Sequence, residues 1–194
     1  MDKVDIQIID YLWELPSDTA FLLSPHADEI FNMPAINAEE GVIRERINSL
    51  IMQGYLKLFP HEGLKSVESG IIGLNVIGLT AKGAKLWESI FLPDWSRYVL
   101  AISYYIEGNH NGYIEEYNIS AISNDKLDEI LCSIRDKLSH GFSLNRVSPW
   151  SATYWKSFDR GYELKLTVTE PSISDFINSY LCSLPKDWRL PPVI

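Results

Sequence analysis

The sequence predicts an α+β fold in two parts, residues 1–93 and 94–194. Three observations carry this. A capped amphipathic pattern over 37–53 stops at Gly54 and is followed by two alternating stretches around a polar loop. A second alternating pair, 98–107 and 113–123, opens a ββαββα order in the later half. Leu92-Pro93-Asp94-Trp95 separates the two patterns.

In the first part, Val4, Ile8, Tyr11, Leu12 and Leu15 fall on one helical stripe, ended by Pro16-Ser17-Asp18. Asp2 and Asp5 stand at its start, where negative charge suits the helix dipole. Thr19–Leu23 reads as a short strand and His26–Met33 as a short helix closed by Pro34. Asn37 is the expected N-cap of the next helix, with Glu40 three places on. Ile43, Ile47, Leu50 and Ile51 give that helix its apolar face, and Gly54 supplies the left-handed stop. Tyr55–Phe59 and Ile71–Leu79 are expected strands enclosing a polar loop over 60–70. Thr80 caps a helix to about Phe91 with Leu86, Trp87, Ile90 and Phe91 inward.

In the second part, Asn124-Asp125 is expected to cap a helix burying Leu127, Ile130, Leu131, Ile134 and Leu138. Phe142–Val147 and Tyr162–Thr169 read as strands. Ser172 or Ser174 is the expected cap of a last helix facing inward through Ile173, Phe176, Ile177, Tyr180, Leu181 and Leu184. The tail from Pro185 carries three prolines and reads as a surface wrap. These elements predict an antiparallel sheet with helices on one face.

The order of the first part resembles a winged-helix domain. The residues that carry the resemblance are Ile43-x3-Ile47-x2-Leu50-x3-Gly54-Tyr55-Leu56 and Leu79-Thr80-x2-Gly83-x3-Trp87-Glu88. The resemblance covers roughly the first half of the chain and implies three helices, a two-stranded wing and a further helix. It also implies DNA binding by the helix before the wing. The residues that would serve are Arg44, Arg46 and Asn48 on that helix and Lys65 in the wing, since Arg reads guanine and Asn reads adenine.

Charge opposes that implication. Net charge is −9. Residues 1–100 hold 8 Lys and Arg against 14 Asp and Glu, and residues 101–194 hold 9 against 12. Each carboxylate near a phosphate costs electrostatic free energy instead of releasing a counterion. Glu39, Glu40 and Glu45 outnumber the two arginines on their own helix. The alternative is an acidic protein-interaction module, of inhibitor or immunity type, with the winged helix as docking scaffold. For this, Trp150, Tyr154, Trp155 and Lys156 are the candidate partner-binding residues, because aromatic rings beside basic groups favour interface hot spots. The bulk of these rings favours the other reading, in which the segment packs over the sheet and its basic residues turn outward.

No phosphate loop, dinucleotide fingerprint or nucleophile elbow occurs, and the four histidines lack metal-ligand spacing. We expect a non-enzymatic regulatory binding protein without cofactor or metal. The two cysteines, Cys132 and Cys182, read as small core side chains in a reducing compartment. No basic-then-apolar leader opens the chain, and its longest apolar runs fall well short of a bilayer span. The expectation is a cytoplasmic protein with no membrane partner, and a homodimer stays open.

Overall fold

The computed structural model describes residues 1–24, 36–59, 76–107, 113–138, 142–185 and 188–191. Helices and antiparallel sheets make a mixed α+β chain. It divides into two compact units: Met1–Leu92 with Thr153–Trp155 and Pro191–Ile194, and Pro93–Ala152 with Lys156–Leu190. The first unit thus takes in, besides the first 92 residues, the short segment Thr153–Trp155 and the end of the chain.

The first unit runs α1 (Lys3–Tyr11), β1 (Ser17–Asp18), α2 (Thr19–Leu22), α3 (Glu40–Met52), β2 (Leu56–Phe59), β3 (Val76–Leu79) and α4 (Ala81–Phe91). Asp2 and Asp5 close a reciprocal capping box at the start of α1. The helix stops at Tyr11, earlier than its stripe predicts, so Leu15 is exposed instead of inward. Thr19–Leu22 is a helical turn and not the expected strand. Asp18 accepts from the Ala20 amide at 2.8 Å, and this cap overrides the β-leaning composition. The strand falls on Ser17–Asp18, which pairs with Ile77 and Val76.

Helix α3 begins later than Asn37 predicts. The Ala38 amide donates to the Ile36 carbonyl, forming a tight turn that moves the N-cap to Glu39, which makes no side-chain capping bond. Ile43, Ile47 and Leu50 are buried as the spacing predicts. Gly54 takes φ +74° at the stop, a value that penalises any side chain.

Thr80 caps α4 by accepting from the Gly83 amide at 3.1 Å, and its hydroxyl donates to the Gly54 carbonyl at 2.6 Å. Its own amide donates to the Tyr55 carbonyl. One threonine thus ties the α3 stop, the start of β2 and the start of α4 together. Gly83 completes the joint, since a Cβ there would lie 2.1 Å from the Tyr55 carbonyl oxygen. The strand order is β1-β3-β2, all antiparallel.

The second unit holds β4 (Val99–Glu107), β5 (Tyr113–Ala121), α5 (Asn124–Ile134), β6 (Phe142–Val147), β7 (Trp150–Ser151), β8 (Ser157–Phe158), β9 (Gly161–Val168) and α6 (Pro171–Ser183). The main sheet is antiparallel in the order β4-β5-β9-β6, and β7-β8 form a small separate hairpin that the sequence did not signal. Register places Tyr117, Ile119 and Ala121 opposite Leu166, Leu164 and Tyr162, and this face packs on α5 and α6. The expected inward residues of α5 are buried or half-buried.

Caps in this unit differ from expectation. Ser123 and not Asn124 precedes α5; Asn124 instead donates to Asp128 at 2.9 Å. Helix α6 starts at Pro171, which is pre-set for the first helical position, so Glu170 is the N-cap and neither Ser172 nor Ser174 serves. Phe176, expected inward, is exposed. Cys132 and Cys182 are free and exposed, not core. Among the described residues no helix is long and apolar enough to cross a membrane.

Candidate partner interface

Helix α3 presents Gly41, Glu45, Asn48 and Met52 along one exposed stripe, spaced three and four apart. Val42 extends it on one side and is also exposed. Met52 is 89% exposed, the most of any large apolar side chain in the described residues. The stripe holds one carboxylate and no cation.

The two arginines flank it and are engaged within the unit. Arg44 donates to Glu40 one turn earlier at 2.8 Å. Arg46 pairs with Asp2 and lies 4.0 Å from Asp5, turning it toward the start of α1. Asn48 is exposed on the stripe itself. Lys65 lies outside the described residues, as do all four histidines and the expected helix over 26–33. Two lysines stand near the end of α3. Lys82 donates to the Gln53 carbonyl at 2.8 Å and lies over the Tyr55 ring, and Lys57 lies over Phe59.

The aromatic set Trp150, Tyr154, Trp155 and Lys156 does not form one surface. Trp150 is buried in the second unit, stacked on Phe158 at 5.6 Å with Tyr98 beyond it. Lys156 lies 5.4 Å over both Trp95 and Phe158. Tyr154 and Trp155 belong to the first unit. The Tyr154 hydroxyl accepts from the Leu79 amide at 2.5 Å and donates to the Leu12 carbonyl at 2.7 Å. Trp155 donates through Nε1 to the Trp13 carbonyl at 2.6 Å and packs edge-on to Trp87.

These rings are spent on packing. Burial pushes the Tyr154 phenol up to about 12, partly offset by the Leu79 amide. Burial likewise raises Tyr11, with a smaller opposing effect from its bond to Ser17. The sequence did not single out Trp13, which stacks on Trp87 at 5.1 Å, nor Asp10, which accepts from the Trp87 indole at 2.9 Å. Asp10 and Trp87 stand 77 residues apart, so no local pattern could have paired them.

Among the described residues no three His, Cys, Asp or Glu side chains converge as a metal site. No protein-family model matches the chain, and no match was found among curated proteins or among solved structures.

Proposed function

We propose that the chain is a non-catalytic regulatory binding protein whose first unit is a winged-helix-like scaffold docking another protein through the outward stripe of α3. The element order and the strand order β1-β3-β2 support the winged-helix reading. The observation that carries the partner assignment is the charge state of α3. Arg44 and Arg46 are held by Glu40, Asp2 and Asp5, while Val42, Glu45, Asn48 and Met52 face outward. A helix reading DNA needs cations turned toward phosphates. An exposed methionine and valine beside one carboxylate suit an apolar contact with a polar rim. An inhibitor or immunity-type partner protein fits this description.

The test places a photo-crosslinking side chain at position 52 and, as control, at position 3, in cells. A discrete protein adduct at 52 that is lost in Val42→Lys is expected. No adduct at 52, or one equally formed at 3, sinks the reading.

A second reading, a DNA-binding regulator, is favoured by Lys82 of α4, which reaches the Gln53 carbonyl at the end of α3, and by Lys57 of β2. It requires random duplex to bind at low salt with a steep salt dependence. Absence of binding at micromolar protein removes it.

A further inference from the structure

We infer that the free edge of β6 is a docking site for an extended acidic segment of another protein, taken up as a fifth strand of the main sheet. Strand β6 is an outer strand, paired on one side with β9. Phe142, Ser143, Leu144, Asn145 and Arg146 are all exposed. In an antiparallel pair, every second residue turns its N–H and C=O away from the neighbouring strand. Among the described residues no backbone hydrogen bond reaches β6 from its outer side. An extended peptide can take those groups as the next strand.

Charge selects the occupant. Residues 133–149 hold three Lys and Arg against one Asp, in a chain of net charge −9. Arg44, Arg46, Lys126 and Lys165 each pair with a carboxylate. Among the described residues Arg135, Lys137 and Arg146 do not. Arg135 and Lys137 lie instead over the exposed rings of Phe142 and Phe176, at 5.9 and 5.8 Å. An aromatic face holds a cation without neutralising it, so the charge stays available to a carboxylate. A single-stranded nucleic acid has the charge but no peptide groups for a strand edge, and both rings on which its bases would stack already carry a cation.

The side-chain order along β6 specifies the partner. Register with β9 puts Phe142, Leu144 and Arg146 on the helix side of the sheet, opposite Leu166, Leu164 and Tyr162. Arg135 beside Phe142, and Arg146 itself, mark the two ends of a row about 13 Å long with Leu144 in the middle. A strand laid alongside needs carboxylates at its first and fifth positions and an apolar side chain at its third. That pattern, acid-x-apolar-x-acid, reads the same in both directions, so it serves a parallel or an antiparallel addition. Ser143 and Asn145 line the other face, where Asn145 donates to Ser143 at 3.2 Å, and suit polar residues at x. The site belongs to the second unit and stands independently of the α3 stripe.

The probe is the end-capped peptide Thr-Glu-Thr-Val-Thr-Glu-Thr, titrated into the isotope-labelled full chain and followed by amide NMR shifts. Saturable shifts over residues 142–147 are expected below about 1 mM peptide. Arg146→Glu should weaken binding roughly tenfold or more. The same peptide with Lys in place of Glu should bind that variant better than it binds the native chain, a reversal that a fold defect would not give. Of two peptides N-methylated at alternate residues, one should bind and the other not, since only one set of amides faces β6. No saturable shift overturns the proposal, as do shifts centred outside β6 or an Arg146→Glu variant that binds undiminished. Equal behaviour of the two N-methylated peptides removes the strand pairing and overturns it too. Tighter binding of oligothymidylate at the same amides overturns it in favour of nucleic acid.

Discussion

The Tyr154 hydroxyl sits 2.5 Å from the amide nitrogen of Leu79, 75 residues earlier in the chain. It is also bonded to the Leu12 carbonyl, so one phenol satisfies a strand amide and the carbonyl that ends α1. Tyr154→Phe keeps the ring and removes both bonds. Leu79 and Leu12 are fully buried, so their backbone groups gain no water in exchange. We expect a loss of about 2–3 kcal/mol, seen in urea unfolding as a lower midpoint at unchanged slope.

The same phenol predicts alkaline behaviour. Its folded pKa lies near 12 against an ordinary value of 10. The unfolded chain therefore releases the proton first, and stability falls as pH rises from about 10 through 12. Tyr11 shifts in the same direction, so the loss should be reduced in Tyr154→Phe but not abolished. Unfolding midpoints of both proteins across that window check this; equal slopes would refute it.

Gly83→Ala isolates the joint between α4 and the Gly54-Tyr55 stop. Helix propensity alone would make alanine better by up to about 1 kcal/mol. The new Cβ would lie 2.1 Å from a backbone oxygen that Thr80 also holds, so the clash wins. A net loss of about 3 kcal/mol is expected by denaturant titration. A stabilised variant would mean that α4 can slide away.

Ser174 offers the opposite sign. Among the described residues its buried hydroxyl has no hydrogen-bond partner, on the inner side of α6 where its carbonyl accepts from Tyr117. Ser174→Ala removes a desolvated polar atom and favours the helix, so it should be neutral or stabilise by up to about 1 kcal/mol. A clear loss would indicate that the hydroxyl finds a partner in solution.

Local signals predicted local structure well. The Ile43, Ile47, Leu50 spacing, the Gly54 stop and the Thr80 cap each depend on residues within a few positions, and each appears where the pattern puts it. The misses have two kinds of cause. At Thr19 and Asn37 one backbone–side-chain or turn bond decided between helix and strand, or shifted a helix start, a matter of about 1 kcal/mol. At Trp150, Tyr154 and Trp155 the deciding partners are distant in sequence. Nothing near Tyr154 shows that it will meet Leu12 and Leu79, or that Trp155 will meet Trp13. The same limit applies to the candidate interface: Arg44 and its Glu40 were legible as a one-turn pair, but the diversion of Arg46 to Asp2 depends on how α1 lies against α3.

The excursion of Thr153–Trp155 into the first unit also bears on how the protein is made. The bond from Tyr154 to Leu12 spans 142 residues, so the unit that emerges first during synthesis cannot complete its interior when residue 92 has emerged. It must wait for a further stretch of chain, on the order of ten seconds at ordinary translation rates. During that wait Trp13, Trp87 and the buried end of β3 lack the rings that cover them. Nascent chains halted before residue 153 should therefore be protease-sensitive in a region that the finished protein protects.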